Sequence, residues 1–136
     1  MFKELIGKEA KDISPSPFGR WLNGKFIEAS VGSLTIEFVV REELTNPAGI
    51  MHGGAIAGLI DEVMGMTTYF LGKTGFYVAV NLNIDFLRPA KLGEKLRVIS
   101  EVIRDGRTIA HAECKVYNEE GKLIAKAASN LALTNR

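Results

Sequence analysis

The chain contains little cysteine and little proline, and charge of neither sign is in excess. Its 136 residues include one Cys and four Pro, and 17 Lys and Arg nearly balance 16 Asp and Glu for a net charge of +1. Cys114 has no partner for an intramolecular disulfide, and the near-neutral charge gives no broad field that would favour nucleic acid or an acidic membrane. Any anionic ligand must therefore be bound by a few local charges.

The chain also lacks an uninterrupted apolar run long enough to span a bilayer. The longest apolar stretch, residues 55–72, is interrupted by Gly58, Asp61 and Glu62, whereas a membrane-spanning helix needs about 20 predominantly apolar residues. The first residues are charged and lack the apolar core of a signal peptide. These features predict a buried helix in a cytoplasmic protein that has no membrane partner.

No repeat or linker divides the sequence, which predicts one domain over residues 1–136 with an N-terminal arm over 1–24. Apolar residues at helical spacing predict two short helical turns in the arm. From Ile56 to Thr67 apolar residues recur every three or four positions, which predicts one long helix. Six β-rich runs surround this helix in sequence, at about residues 26–31, 34–40, 76–87, 95–104, 108–117 and 123–133.

The long helix carries small or apolar residues on its other faces too, so it needs apolar cover on most sides. The order ββαββββ therefore predicts an α+β fold in which an antiparallel β-sheet is wrapped around one long central helix. In the third strand, Val78, Val80, Leu82, Ile84 and Phe86 alternate with more polar residues. If the alternation is strict, Asn81 and Asn83 share the opposite face of the strand, and a polar site is expected on that face.

The most specific segment begins at Asn46 and ends at Asp61. His52-Gly53-Gly54 opens the apolar helix, with Asn46 six residues before the histidine and Asp61 nine residues after it. A second segment, residues 85–94, reads Asp-Phe-Leu-Arg-Pro-Ala-Lys-Leu-Gly-Glu. Both segments resemble the phenylacetic acid degradation (PaaI-like) group of the hotdog-fold acyl-CoA thioesterase superfamily.

The resemblance extends from about residue 31 to the C-terminus and implies hydrolysis of an acyl-CoA to a free acid and coenzyme A, without a cofactor. It implies that the Gly53 backbone N–H binds the thioester carbonyl and that Asp61 is the nucleophile or general base. It also implies that Asn46 lies near the carbonyl and helps to orient it. Free N–H groups at a helix N-terminus suit a developing oxyanion. A buried acid has a raised pKa, which suits a base that works near neutral pH.

Other residues are candidates to bind the substrate. Gly54 offers a second N–H group at the helix start, and His52 is interpreted mainly as structural support for the Asn46 loop. Coenzyme A phosphates need cations, and the candidates at strand ends and turns are Arg88, Lys91, Arg104 and Arg107. The other histidine, His111, has no second ligand at metal-binding spacing, so no metal site is expected.

One position departs from the family pattern. Relatives place Ser or Thr where this chain has Ala79, and Asn81, Asn83 and Thr68 are the candidates to replace that hydroxyl. Two other functions stay open beside hydrolysis. One is a hotdog dehydratase or hydratase of hydroxyacyl thioesters, and the other is a non-catalytic acyl-CoA binding module, which the absence of a hydroxyl favours.

The spacing of Gly53 and Asp61 bears on the assembly. Eight residues of helix separate them by about 12 Å at 1.5 Å per residue, so one thioester carbonyl cannot contact both groups of one chain. Two antiparallel helices from two chains solve this, with Gly53 of one chain near Asp61 of the other. We therefore expect a homodimer, and beyond it a dimer of dimers.

Overall fold

The computed structural model describes residues 2–135, which contain three α-helices, two 3-10 helices at Phe2–Glu4 and Glu42–Leu44, and six strands. Met1 and Arg136, the ends of the predicted domain, lie outside the described residues. The helices are α1 Ala10–Ile13, α2 Pro17–Leu22 and α3 Gly53–Tyr69. The strands are β1 Lys25–Ser30, β2 Ser33–Val39, β3 Phe76–Phe86, β4 Lys95–Asp105, β5 Ile109–Tyr117 and β6 Leu123–Thr134. The predicted order ββαββββ with a helical arm is confirmed.

The long helix α3 lies against the sheet, on strands β3, β4 and β5. Its buried side chains recur at helical spacing, and they are Ile56, Leu59, Ile60, Val63, Met64, Thr67 and Thr68. They meet the buried faces of the strands and form the core. Within residues 2–135, no helix has both the length and the apolar character needed to cross a membrane.

The sheet is antiparallel, with the strand order β1-β2-β4-β5-β6-β3. The arm covers the free edge of β1, because the Phe26 N–H donates to the Lys8 carbonyl at 3.0 Å and the Gly7 N–H donates to the Phe26 carbonyl at 2.8 Å. Among the described residues, β3 pairs with β6 alone. The sheet therefore ends on one side in an open strand of 11 residues.

The prediction of strict alternation along β3 is wrong, because a β-bulge at Val80 shifts the register between Ala79 and Asn81. Ala79 pairs with buried Leu131, and Leu82 pairs with buried Ser129, so both face the helix. Asn81 pairs with Asn130 on the outer face of the sheet. The bulge thus moves Ala79 to the helix side and turns the polar residues after it away from the helix.

Candidate active site

The first turn of α3 leaves one backbone N–H group free. His52 is the N-cap, and its Nδ1 atom accepts a hydrogen bond from the Gly54 N–H at 2.9 Å. The His52 carbonyl accepts from the Ala55 and Ile56 N–H groups at 2.9 and 3.1 Å. Within residues 2–135 the Gly53 N–H meets no acceptor. Of the two predicted glycine donors, only Gly53 is available to a ligand.

The backbone of His52 holds this turn against the preceding loop. Its N–H donates to the Leu44 carbonyl at 2.8 Å, and the neighbouring Met51 N–H donates to the Ala90 carbonyl at 2.7 Å. Because the His52 Nδ1 atom accepts from Gly54, that nitrogen carries no proton in this arrangement. The ring therefore contacts the helix start itself rather than the Asn46 loop.

Asn46 forms a turn in the loop that precedes α3. Its side-chain Oδ1 accepts from the Ala48 N–H at 3.0 Å and the Ile50 N–H at 3.4 Å. Because two backbone donors face this atom, it is the amide oxygen. No acceptor within residues 2–135 takes the two N–H bonds of the side-chain NH₂ group. Asn46 is thus anchored through its oxygen, with two donors to offer.

Asp61 lies two helical turns after Gly53 on α3. Its side chain is exposed in the single chain, yet the surrounding apolar atoms remove enough water to raise its pKa above the ordinary value of 3.8. A carboxylate with a raised pKa is a stronger base than a free one. In a single chain, this group and the free Gly53 N–H lie at separate positions along the helix.

Glu62, the next residue, is engaged by the N-terminal arm. The Ser16 hydroxyl donates to its Oε1 atom at 3.2 Å, and the same hydroxyl accepts from the Gly19 N–H at 3.1 Å as the cap of α2. Desolvation is the main cause that raises the pKa of Glu62, with a smaller contribution from the charge of Asp61. Glu62 therefore ties the arm to α3, whereas Asp61 has no such partner among the described residues.

The structure places the predicted residues of β3 apart from the helix start. The Asn81 Oδ1 atom accepts from the Asn130 backbone N–H at 2.9 Å, where the bulge interrupts the ladder. Asn83 lies on the same outer face, opposite Ala128. The Asn130 Oδ1 atom also contacts the His111 Nδ1 atom at 2.8 Å. These polar groups form a network across the outer face of the sheet.

The hydroxyl that Ala79 lacks is not supplied by Thr68. The Thr68 side chain is 1% exposed, and its hydroxyl donates to the carbonyls of Gly65 and Met64 at 2.9 and 3.3 Å. Asn81 and Asn83 face away from the helix. Ala79 itself is on the helix side of β3, so a hydroxyl at that position would face α3.

Three of the four candidate cations divide between the two ends of α3, and the fourth, Arg104, lies in β4 opposite His111. Lys91 forms a bridge with Ile50 just before the helix start, and the Arg88 guanidinium donates to the Leu123 carbonyl at 3.1 Å. Arg107 lies in the β4–β5 turn, next to the Gly106 carbonyl that accepts from Lys73 beyond the helix end. All three side chains are exposed. One chain therefore does not gather the three cations at one place.

Phe86 is a neighbour of the helix start that the sequence pattern did not predict. A Cβ atom added at Gly53 would lie 3.6 Å from the Phe86 ring, and 55% of Phe86 is exposed. The signal was present in the sequence, because Phe86 is the last residue of an alternating strand and directly precedes the Leu-Arg-Pro-Ala segment. The aromatic ring forms one wall beside the free N–H group.

Metal and thiol chemistry have no candidate groups here. No cluster of three or more His, Cys, Asp or Glu side chains within residues 2–135 is arranged to hold a metal ion. Burial raises the pKa of the Cys114 thiol to about 12, so it is not a thiolate nucleophile at neutral pH. The groups described above at α3 and the loop before it are a backbone N–H group, an amide and carboxylates.

Comparisons with known proteins identify the family of this chain. A family model described as the thioesterase superfamily matches residues 48–125. Human acyl-coenzyme A thioesterase 13 is 34% identical over 110 residues, which cover 80% of this chain and 79% of that protein.

Solved structures show the same architecture. A hypothetical thioesterase from Streptococcus pneumoniae, solved with coenzyme A, superposes with a TM-score of 0.79 at 26% identity, over 82% of this chain and 86% of that one. PaaI from Escherichia coli superposes with a TM-score of 0.82 at 21% identity, over 88% and 86% of the two chains. The predicted fold and enzyme class are confirmed, and the chain belongs to the thioesterase superfamily, with the hotdog fold.

Proposed function

We propose that this protein hydrolyses an acyl-CoA thioester to a free acid and coenzyme A at a site shared by two chains. The Gly53 N–H of one chain binds the thioester carbonyl oxygen, and Asp61 of the partner chain either activates water or attacks the carbonyl carbon. In the first route water adds to the carbonyl carbon, the C–S bond breaks and the acid is released. In the second route the C–S bond breaks as Asp61 forms a mixed anhydride, which water then hydrolyses to the acid and free Asp61. In both routes the thiolate leaves and takes a proton.

The free Gly53 N–H is the observation that carries this proposal. Negative charge develops on the carbonyl oxygen during thioester hydrolysis, and a preorganised donor at a helix N-terminus stabilises it. The other three N–H groups of the first turn are already bonded to His52. The Asn46 NH₂ group, in the loop before this turn, is the second donor for the carbonyl.

Asp61 supplies the negatively charged group. Apolar surroundings raise its pKa, and they destabilise the carboxylate that must accept a proton or attack the carbonyl. Glu62 is a weaker candidate, because its carboxylate accepts from Ser16 on the arm.

The open edge of β3 supports the two-chain site. An 11-residue edge strand with unpaired backbone groups is a template for pairing with another chain. Its exposed apolar side chains are Phe76, Val78, Val80 and Phe86. Antiparallel pairing of two β3 edges places the two α3 helices side by side in opposite directions. That arrangement brings the start of one helix alongside the middle of the other.

The same pairing explains the divided cations. In one chain Lys91 and Arg88 lie at the start of α3 and Arg107 lies beyond its end. With two antiparallel helices, Arg107 of one chain comes to the end where Lys91 of the other lies. The phosphates of coenzyme A need a few such cations rather than a basic face.

Relatives support the substrate class. The human relative is named an acyl-coenzyme A thioesterase, and the S. pneumoniae thioesterase was solved with coenzyme A. Ala79 favours one alternative, a module that binds acyl-CoA without turnover, because the helix-facing hydroxyl is missing.

Free-thiol release from a panel of aromatic, short-chain and long-chain acyl-CoAs tests the proposal. The native protein should release thiol, and Asp61→Asn should lower kcat by about 10²-fold to 10⁴-fold. Asp12→Asn, on the exposed side of α1, is the matched control. Native rates in Asp61→Asn would refute the assignment of Asp61, and binding without turnover in the native protein would favour the binding module.

A further inference from the structure

A large cavity lies between the N-terminal arm and the C-terminal half of α3. Its volume is about 840 Å³, which is within the range of small-molecule sites. Apolar side chains line it from three sides: Leu5 and Ile13 from the arm, Met66 and Phe70 from α3, and Phe26 and Phe76 from the strands. The family model begins at residue 48, so the arm that forms one wall lies outside the matched region.

The walls of the cavity are held in place. The Phe2 and Phe70 rings pack edge to face with their centroids 5.8 Å apart, and the Ser16 hydroxyl links the arm to Glu62. Backbone hydrogen bonds join the arm to β1. The arm is therefore held by three sets of contacts, and the space beneath it is part of the fold.

The cavity begins one residue beyond Asp61 on α3. Glu62 lines it, and Met66 and Tyr69 continue the lining at helical spacing, whereas the Asp61 side chain points in a different direction from the helix and does not line it. The distance from Glu62 to Tyr69 along the helix axis is about 10 Å at 1.5 Å per residue. A chain attached to a carbonyl at Asp61 that follows the helix towards its C-terminal end enters this space.

The charges of the lining favour an uncharged occupant. Two acidic residues, Glu4 and Glu62, and one basic residue, Lys8, line the cavity, so their formal charges sum to −1. A terminal carboxylate would have to leave water and lie near the Glu62 carboxylate. An alkyl or aryl chain carries no charge, so it loses no charge hydration in the cavity and is not repelled by Glu62.

We propose that this cavity holds the uncharged, apolar acyl chain of the substrate and that the N-terminal arm sets the chain length the protein accepts. This inference rests on the proposed function, because it places the acyl carbonyl at Asp61. Each methylene that enters the cavity buries more apolar surface, and this stabilises the bound thioester and its transition state equally.

Chain-length dependence of turnover tests the inference. In the native protein, kcat/KM should rise about fourfold for each added methylene until the cavity is full, measured from acetyl-CoA through hexanoyl-CoA to decanoyl-CoA. Adipyl-CoA should be turned over more slowly than hexanoyl-CoA. Met66→Trp and Ile13→Trp fill the cavity from opposite walls, so the ratio of decanoyl to acetyl kcat/KM should fall in both.

Val31→Trp is the matched control, because Val31 is 67% exposed in the β1–β2 turn and does not line the cavity. It should keep the native ratio. A native ratio near one, or a native ratio in both cavity variants, would overturn the inference. So would sedimentation in which the cavity variants change the oligomeric state and leave the ratio unchanged, because a second chain would then occupy the cavity.

Binding separates this inference from the proposed function. Calorimetry on Asp61→Asn should give tighter binding and a more negative heat-capacity change for decanoyl-CoA than for acetyl-CoA. If the native protein hydrolyses nothing but shows this difference, the proposed function fails and the cavity assignment stands. If the native protein hydrolyses thioesters of all chain lengths equally, the proposed function stands and the cavity assignment fails.

Discussion

The Nδ1 atom of His52 lies 2.9 Å from the backbone nitrogen of Gly54 and accepts its hydrogen bond. This contact decides which glycine of the His-Gly-Gly sequence can bind a substrate. Gly54 is occupied, and the Gly53 N–H is left as the donor that faces no acceptor within residues 2–135. The N-cap thus selects one donor for the proposed oxyanion site.

Gly53→Pro should remove this donor and leave the helix intact. Gly53 is the first residue of α3, where proline is favoured, and His52 has φ −63° and ψ 136°, the extended backbone that a residue before proline prefers. We expect kcat to fall by about 10²-fold to 10³-fold and the free energy of unfolding to be unchanged or up to about 1 kcal/mol higher. Thiol release and urea denaturation measure the two quantities.

Gly53→Ala is the matched control, since it keeps the N–H group. Its Cβ atom would lie 3.6 Å from the Phe86 ring, an ordinary contact. The alanine variant should therefore keep most of the activity that the proline variant loses. Equal losses in both would show that the Cβ atom, and not the donor, decides turnover at this position.

The sequence was sufficient to predict α3 and the order of the helix and strands along the chain, because apolar spacing and turn residues are local signals. It did not predict the bulge at Val80, since a bulge depends on how the Ser129 and Asn81 side chains satisfy the interrupted ladder. Nor did it show that His52 occupies the Gly54 N–H. Both facts depend on three-dimensional contacts that have no periodic signature.

The pKa of Asp61 gives the pH dependence a definite direction. The reaction needs the carboxylate, and desolvation raises the pKa above 3.8, so kcat/KM should fall as the pH is lowered through the raised pKa. Asp61→Asn should remove this inflection from the residual activity. A profile that keeps the inflection in the variant would assign it to another group.

The same shift predicts the opposite trend for stability. Because the folded-state pKa is raised, the contribution of Asp61 to folding is most favourable below pH 3.8 and declines as the pH rises through the folded-state value. Asp61→Asn should therefore be more stable than the native protein at neutral pH. Urea denaturation of both proteins at acidic and neutral pH measures the difference, and lower stability of the variant at neutral pH would contradict the shift.

Ala79→Ser should raise kcat. Ala79 faces the helix side of β3 beside the bulge, and a new hydroxyl there can orient water or the Asp61 carboxylate. One neutral hydrogen bond of about 0.5–1.5 kcal/mol corresponds to an increase of about twofold to tenfold. Ala128→Ser, on the outer face opposite Asn83, should leave kcat unchanged. An increase in both variants would mean that the effect does not come from the helix side.

Mixing two inactive variants tests whether the site is shared between chains. In a heterodimer of Gly53→Pro and Asp61→Asn, one site combines the two defects, and the other combines the native Gly53 of one chain with the native Asp61 of its partner. Random exchange of equal amounts makes about half of the dimers mixed, each with one native site, so about a quarter of native activity should return. Thiol release after co-refolding measures it, with each variant refolded alone as the control. If Gly53 and Asp61 of the same chain formed the site, every site in the mixture would keep one defect, and activity would not return.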